Sequence, residues 1–319
     1  MRKLLQFIKY NLIPFFIRLK RIDSDHNKKL IFYCSDYSSS GGLTDRLKGI
    51  ISAYQISIIT NREFKIIYNQ PFKLKKILDE NHVKWHMSSP KEESKILRNS
   101  KHYNLMGRKN NHNFMKLINK IIMDKNDFIA IRINFDYSEI INNKFGNLNF
   151  EWSYYFNKLF KYSKYTNKVL SDYLESNPSE FSVGLHCRFI NLMGDNIEKG
   201  KELSEENRLL LLEKIIKTIQ TISLESINKI LLCSDSNKFL NEILQKDSVK
   251  RKIIIAKGKP KHSEKNIVSN LELQKIILDF FLLSYCNSVY SITYDGLYPS
   301  EFPKYAAKLN SRKFIIIKE

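Results

Sequence analysis

Two residues in the second half of the chain, His186 and Arg188, have the types and spacing of an anion-binding pair. Arg188 carries a planar fork of donors that can hold two phosphate oxygens at once and stays charged at any working pH. Opposite a departing diphosphate it would stabilise the charge that grows on the bridging oxygen, an effect of about 3 kcal/mol for each well-placed donor. His186, on the same side of the predicted strand, could orient Arg188 or donate to the phosphate. Alternatively, His186 is a core histidine and Arg188 forms an ion pair at a domain interface.

Polar residues follow other predicted strands as well, in the segments Gly41–Leu47, Ser234–Ser236 and Thr293–Gly296. Ligands of open α/β sheets lie outside the carboxyl ends of the strands, so we expect all these segments to face one crevice between two domains. Gly41 and Gly42 permit a tight turn ahead of a helix N-terminus, which attracts anions. They lack the spacing of the dinucleotide-binding and P-loop fingerprints, so the sequence supports neither NAD nor ATP.

A chain of 319 residues is long enough for two domains, each with its own core. In the first, Lys29–Cys34 reads as a strand, a glycine loop follows, and a helix begins with Thr44 or Asp45 as its N-cap. Phe64–Tyr68 reads as the next strand, and one aromatic-rich helix is predicted between Trp152 and Leu174. The predicted divisions are a basic N-terminal segment at 1–28, an acceptor-side α/β domain at 29–178 and a donor-binding α/β domain at 179–319.

The second half alternates strands and helices regularly, which predicts a doubly wound α/β domain. Its predicted strands are Phe181–Cys187, Lys229–Cys233, Lys252–Ala256, Val289–Thr293 and Phe314–Ile317. Ser204 is the predicted cap of a helix whose buried face consists of Leu209, Leu212, Ile216 and Ile219.

The composition, with 43% hydrophobic and 12% aromatic residues, is that of a globular protein and excludes a fibrous or disordered chain. The formal charge of +20 indicates a polyanionic partner, an anionic membrane or simply a solvated lysine-rich surface. Because the cations are dispersed and no nucleic-acid module is recognisable, we expect no nucleic-acid partner. The four cysteines are far apart in sequence and are predicted to be buried free thiols in a reducing cytosol: Cys34, Cys187, Cys233 and Cys286.

The segment Met1–Ile22 mixes apolar and basic residues. Lys9, Asn11 and Pro14 interrupt its apolar run, which is too short to span a bilayer, and no small-residue cleavage site follows. It could lie in a membrane interface beside anionic headgroups or pack on the body of the protein as a first helix. We therefore expect a cytoplasmic protein, with peripheral association at the inner membrane face as one alternative.

Four features in order resemble the fucosyltransferase superfamily, which includes the nodulation fucosyltransferase, the α-1,2 and α-1,6 enzymes and the protein O-fucosyltransferases. The run Gly41–Ile50 resembles their N-terminal glycine loop, and Gly184-x-His186-x-Arg188 is similar to their His-x-Arg motif. The aromatic segment near Trp152 and the passage Asp279–Cys286, followed by Ser291, match in order. The resemblance extends from about Lys29 to the end of the chain.

This resemblance implies a GT-B fold, two Rossmann-like doubly wound domains facing a cleft, and an inverting glycosyltransferase that needs no metal or other cofactor. It assigns Arg188 to the donor β-phosphate and His186 to its support. The nucleotide pocket would be lined by Ser234, Asp235, Asp279, Ser291, Thr293 and Ser300, opposite a cleft loop of Gly41, Gly42, Asp45 and Arg46. The only Asp-x-Asp sequence, Asp23-Ser24-Asp25, lies in a basic linker and is read as linker.

The match departs after Arg188, where family members commonly continue into an arginine or glycine and then an acid. An inverting enzyme needs a base near the acceptor hydroxyl unless the departing phosphate serves. Asp195 is the first candidate for this base, Glu198 the next, and Asp45 an outside candidate.

The resemblance thus predicts transfer from a nucleotide sugar, GDP-fucose first, to a bacterial surface glycan or lipid-linked oligosaccharide. The alternatives are a transferase of the same fold with another nucleotide sugar, a degenerate transferase that binds donor without reacting, and a non-catalytic polyanion-binding protein.

Overall fold

The computed structural model of the chain describes residues 28–34, 41–87, 89–107, 110–145, 151–177, 182–195, 201–224, 229–260, 268–294 and 296–318. By their contacts, the described residues up to 41, of 45–69 and of 80–159 form one compact unit, and the described residues of 42–44, 70–79 and 160–319 form a second. The predicted interfacial segment Met1–Ile22 and the Asp23-Ser24-Asp25 linker lie outside the described residues.

The described strands are β1 (Lys29–Tyr33), β2 (Glu63–Ile67), β3 (Leu78–Glu80), β4 (Lys101–Asn104), β5 (Phe128–Arg132), β6 (Phe160–Tyr162), β7 (Val183–Cys187), β8 (Ile230–Ser234), β9 (Ile253–Ile254), β10 (Ser288–Ile292) and β11 (Lys313–Ile317). The described helices are α1 (Leu43–Ile59), α2 (Leu74–Ile77), α3 (Pro90–Asn99), α4 (Asn111–Ile122), α5 (Ser138–Phe145), α6 (Trp152–Leu159), α7 (Lys164–Ser176), α8 (Glu205–Leu224), α9 (Asn237–Leu244), α10 (Asp247–Lys250), α11 (Asn270–Tyr285) and α12 (Phe302–Leu309).

The first unit is built on a parallel sheet with strand order β2-β1-β5-β4. Its central strand β1 is buried on both faces through Leu30, Ile31 and Phe32, which explains its continuous apolar run. Helix α1 lies close to this sheet because Gly49 has no side chain: a Cβ there would stand 1.9 Å from the carbonyl oxygen of Ile133.

Helix α1 begins at Leu43, so the prediction of Thr44 or Asp45 as its N-cap is wrong. Both residues lie in the first helical turn, where the Asp45 carboxylate pairs with Lys48 at 2.6 Å instead of capping the backbone. Gly41 adopts a φ of 76°, and a Cβ at this position would come within 2.2 Å of the Asp45 carboxylate. The tight turn expected before the helix is therefore present and requires glycine.

The single aromatic helix predicted between Trp152 and Leu174 is also wrong, because α6 and α7 are separated by β6. Strand β6 pairs with β3, and Ser163 then starts α7 by accepting a hydrogen bond from the Thr166 backbone nitrogen at 3.1 Å. The Ser163 hydroxyl donates to the carbonyl oxygen of Lys76 at 2.7 Å. Helix α7 falls in the second unit, whereas the sequence-based boundary at residue 178 was drawn after it.

The second unit contains a parallel five-stranded sheet with the order β11-β10-β7-β8-β9. From β7 the chain adds β8 and β9 on one side of the sheet and then β10 and β11 on the other. The predicted doubly wound topology is therefore confirmed. The strand order reverses between β7 and β10, and their carboxyl ends mark the switch point at which such sheets bind ligands. Strand β9 is only two residues long, shorter than the predicted Lys252–Ala256.

Ser204 caps α8 as predicted, since its hydroxyl accepts from the backbone nitrogen of Asn207 at 3.4 Å. The predicted buried face of α8 is partly wrong, because Leu209 is 45% exposed. The residues that α8 buries are Leu211, Leu212, Ile215, Ile219 and Ile222. A run of four leucines at 209–212 permits several apolar faces, and packing on the sheet selects one of them.

All four cysteines are free and buried, which confirms the sequence prediction. Within the described ranges, no cluster of three or more histidine, cysteine or acidic side chains could hold a metal ion. In the same part of the chain, no helix combines the length and apolar character needed to cross a bilayer.

Arg62 joins the start of β2 to the turn before β5 through three backbone carbonyls. Its guanidinium donates to the carbonyl oxygens of Asp124, Asn126 and Asp127 at 2.8, 2.7 and 3.1 Å. The Arg62 side chain is buried, so its replacement removes three charge-assisted hydrogen bonds together with the packing of the side chain.

We therefore expect Arg62→Gln to lower the free energy of unfolding by about 3 kcal/mol. Arg98→Gln is the matched control, because Arg98 is exposed and its Nε bonds only within its own helix; its effect should stay within about 0.5 kcal/mol. Urea denaturation of the two variants and the wild type measures both values. Equal, small effects would contradict a stabilising role for Arg62.

Candidate functional site

The carboxyl ends of β7 and β10 bring together several of the residues selected from the sequence. His186 lies one residue before the end of β7, between Cys233 of β8 and Ser291 of β10 in the strand register. Arg188 follows directly after the strand. The parallel pairing of three strands thus places an imidazole and a guanidinium at the switch point of the sheet.

His186 is a buried, neutral imidazole. Burial, with smaller contributions from Arg188 and Lys275, lowers its pKa to about 3. Its ring lies 5.6 Å from that of Phe302, and its Nδ1 atom has no hydrogen-bond partner among the described residues. A buried nitrogen without a partner is costly in a folded protein, and a ligand that donated to it or accepted from it would remove that cost.

Lys275 and Asp279 form a buried ion pair. Asp279 was predicted from the sequence as a donor-binding residue, and Lys275 was not. Lys275 Nζ lies 2.5 Å from an Asp279 carboxylate oxygen, one turn further along α11. The thiol of Cys233 also bonds to this carboxylate, which places the pair beside β8. Burial raises the pKa of Asp279, and Lys275 offsets part of the increase. The available signal was an i,i+4 lysine and aspartate inside an otherwise apolar helix.

Arg188 is held at the mouth of the site by an acid and an aromatic ring. Its Nε lies 3.9 Å from Asp235, and its guanidinium carbon lies 4.9 Å from the centre of the Tyr298 ring. The backbone nitrogen of Tyr298 donates to the Arg188 carbonyl at 3.1 Å, so the segment after β10 folds against Arg188. The Arg188 side chain remains 20% exposed and keeps access to solvent. Tyr298 was not selected from the sequence.

Asp235 shapes the loop that follows Arg188. Its two carboxylate oxygens accept from the backbone nitrogens of Phe189 and Ile190 at 2.8 and 3.0 Å. Burial raises its pKa, while these two donors and Arg188 act in the opposite direction. Ile190 has a φ of 56°, a conformation unfavourable for a β-branched residue, and the bond to Asp235 holds the loop in it.

Asp195, the first candidate for the base, binds the start of α9. Its carboxylate accepts from the Ser236 hydroxyl at 3.0 Å and from the Lys238 backbone nitrogen at 2.8 Å. Glu198 lies outside the described residues. The catalytic role of both residues therefore stays a prediction.

The other predicted donor-binding residues occupy the same edge of the sheet with different partners. Ser234 and Ser291 are buried, and the Ser234 hydroxyl accepts from the backbone nitrogen of Ser236 at 3.2 Å. Thr293 bonds to the carbonyl of Ile317 at the end of β11, and the Ser300 hydroxyl accepts from Phe302 at the start of α12. Ser234, Thr293 and Ser300 thus each order a segment at the carboxyl edge of this sheet.

Three residues of the predicted cleft loop, Gly41, Asp45 and Arg46, lie in the first unit. Arg46 is buried, with Nη1 donating to the Tyr68 hydroxyl at 3.1 Å and its guanidinium carbon 5.1 Å from that ring's centre. Burial raises the pKa of Tyr68 to about 12, so it stays protonated at neutral pH. Asp45 pairs with Lys48, which is itself buried. Gly42 immediately precedes α1.

No protein-family model and no curated protein matches the sequence. Solved structures do: a mutant of FUT1 from Arabidopsis thaliana in complex with GDP is 12% identical, with a TM-score of 0.60 over 100% of this chain and 78% of that one. A NodZ α-1,6-fucosyltransferase co-crystallised with GDP is 15% identical, with a TM-score of 0.53 over 88% and 92% of the two chains. NodZ from Bradyrhizobium is 14% identical, with a TM-score of 0.51 over the same shares of the two chains, 88% and 92%. At this identity the likeness shows the fold, and the predicted α/β fold of the fucosyltransferases is confirmed.

The burial of His186 predicts a specific loss of stability in acid. Below about pH 6.5 an unfolded chain protonates this imidazole, whereas the folded chain does so only near the lowered pKa of about 3. The unfolded state therefore binds more protons in this range, and stability falls as the pH falls, by about 2 kcal/mol between about pH 7 and pH 5.

We expect His186→Asn to lose about 2 kcal/mol less than the wild type over that interval, as measured by urea denaturation near both pH values. His82→Asn is the control, because His82 is exposed and its removal should leave the acid sensitivity unchanged. The same acid sensitivity in His186→Asn and the wild type would contradict the buried neutral state.

Proposed function

We propose that this chain is a glycosyltransferase that transfers fucose from GDP-fucose to a glycan acceptor. The observation that carries the proposal is the position of His186 and Arg188 at the switch point of a fucosyltransferase-type fold. His186 is buried and neutral there, and its Nδ1 has no partner in the part of the chain that the structure describes. GDP is present in the FUT1 structure and in the NodZ structure co-crystallised with GDP, which supports a GDP-sugar as the donor.

In this proposal Arg188 binds the β-phosphate of the donor and His186 supports it. The acceptor hydroxyl attacks the anomeric carbon, the bond to the phosphate oxygen breaks, and its electron pair leaves with GDP. The fixed charge of Arg188 stabilises that departing oxygen, the role that a divalent cation has in metal-dependent transferases. Attack opposite the leaving group inverts the anomeric centre.

The partners of Arg188 support this role. Asp235 and the Tyr298 ring approach the guanidinium from two sides, and the Asp235 carboxylate is also occupied by two backbone donors. Arg188 is thereby oriented without complete neutralisation of its charge. We assign the nucleotide to the same edge of the sheet, with Ser234, Asp279, Ser291, Thr293 and Ser300 as its lining, as the resemblance implies.

Proton removal from the acceptor is assigned to Asp195 or Glu198, or to the departing phosphate itself. The contacts of Asp195 with Ser236 and Lys238 occupy much of its accepting capacity. This arrangement favours the departing phosphate as the base over Asp195. The acceptor that we propose is a bacterial surface glycan or a lipid-linked oligosaccharide, elongated at the inner face of the cytoplasmic membrane.

A donor panel tests the assignment directly. We expect GDP to raise the thermal unfolding midpoint and UDP to leave it unchanged, because a ligand that binds only the folded state stabilises it. We further expect GDP-fucose to give more nucleotide release than GDP-mannose or UDP-sugars when broad glycan acceptors are supplied. Preference for a UDP-sugar would contradict GDP-fucose as the donor. GDP binding without turnover across the acceptor panel would indicate a degenerate transferase.

Arg188→Ala tests the residue on which the proposal depends. Loss of its donors should lower kcat/KM with GDP-fucose by about 100- to 1,000-fold. Arg251→Ala is the control, because it removes an exposed arginine before β9, at the opposite edge of the same sheet. Unfolding midpoints of both variants verify the fold. Turnover near the wild-type rate in Arg188→Ala would contradict the proposal that Arg188 binds the donor β-phosphate.

A further inference from the structure

The amino-terminal edge of the second-unit sheet, opposite His186 and Arg188, carries a dense group of exposed cations. We name it the basal patch. It consists of the exposed residues Leu224, Lys229, Leu244, Lys246, Lys250, Arg251 and Lys252. All of them lie between a helix end and the start of β8 or β9.

The packing of α10 brings these residues together. This short helix contacts the ends of α8 and α9 and the start of β9, and its Val249 is completely buried. The backbone nitrogen of Ile230 donates to the carbonyl of Lys252 at 2.8 Å, which places Lys229 beside the 250–252 segment. Leu224 ends α8 and Leu244 ends α9, so both flank α10.

The cations of the basal patch are largely uncompensated. Asp247 pairs with Lys250, and no other member of the patch forms an ion pair among the described residues. The opposite edge of the sheet differs, because Arg188 there is accompanied by Asp235, and Asp195 and Glu202 lie in the same region of the chain. In the basal patch five cations therefore stand beside one described acid, Asp247.

Two exposed leucines lie among these cations. Leu224 is 88% exposed and Leu244 is 42% exposed. An isolated exposed leucine is ordinary, but apolar side chains interleaved with lysine and arginine are typical of surfaces that enter a membrane interface. Nucleic-acid surfaces pair cations with aromatic stacking residues, and the basal patch contains no aromatic residue.

We propose that the basal patch docks the protein on an anionic lipid bilayer. The cations attract the headgroups, each contributing about fivefold to affinity, while Leu224 and Leu244 enter the interface. The five-residue strands β7 and β8 separate this edge from the carboxyl edge by roughly 17 Å, so docking through the basal patch leaves the carboxyl edge and Arg188 away from the bilayer surface. The inference stands on charge and exposure alone and does not depend on the proposed sugar transfer.

Co-sedimentation of the full chain with lipid vesicles tests the inference. We expect binding to phosphatidylcholine vesicles that contain phosphatidylglycerol, weak binding to phosphatidylcholine alone, and release by high salt. The triple variant Lys229→Gln, Arg251→Gln, Lys252→Gln should bind anionic vesicles on the order of 100-fold more weakly. The double variant Leu224→Ser, Leu244→Ser should also bind more weakly while keeping the same charge.

The matched control is the triple variant Lys91→Gln, Lys95→Gln, Arg98→Gln. Like the basal-patch variant, it replaces two lysines and one arginine, but at exposed positions on α3 in the first unit. It should bind vesicles nearly as well as the wild type. The unfolding midpoint and its shift with GDP should be unchanged in the basal-patch variants, which separates this inference from the donor site.

Wild-type vesicle binding in the basal-patch triple variant would overturn the inference, because another part of the chain, such as the basic N-terminal segment, would then carry the affinity. Equal losses in the two triple variants would also overturn it, since net charge alone would explain them. Duplex DNA binding that depends on the basal patch, without such dependence for vesicles, would assign the surface to nucleic acid instead.

Discussion

The parallel pairing of β7 with both β8 and β10 is the constraint on which the rest of the site depends. It buries an imidazole between two hydrogen-bonded neighbours, with Cys233 on one side and Ser291 on the other. A charged imidazole would be expensive there, so the sheet keeps His186 neutral, and none of the described residues is a hydrogen-bond partner of its Nδ1. The same pairing ends at Cys187, which releases Arg188 at the sheet edge.

The buried charges around this point are organised in pairs. Lys275 and Asp279 neutralise one another within α11, and Asp235 faces Arg188 while it also holds the following loop. An isolated ion at either place would face a desolvation cost of several kcal/mol. Each pair therefore places charged groups near the carboxyl edge without exposing an uncompensated ion to the core.

The two edges of the second-unit sheet differ in electrostatic character. At the carboxyl edge, cations and carboxylates alternate in contacts that define geometry, as Arg188 and Asp235 illustrate. At the amino-terminal edge, lysines and an arginine surround exposed leucines, and Asp247 is the one acid that pairs with them among the described residues. A parallel sheet separates its two ends by the length of its strands, so one domain can carry two surfaces that need different environments.

Local patterns in the sequence were enough to predict the alternation of strands and helices, the α/β class, the free buried cysteines and the position of His186 and Arg188 at a strand end. These features follow from local apolar periodicity and capping signals such as Ser204. Those patterns did not predict that Asp195 binds the start of α9, that Arg46 is buried against Tyr68, that Lys275 joins Asp279 beside Cys233, or that β6 interrupts the predicted aromatic helix. They also did not predict which leucines of α8 are buried. Each of these depends on atoms or packing surfaces brought together from separate parts of the fold, and local sequence patterns do not specify such contacts.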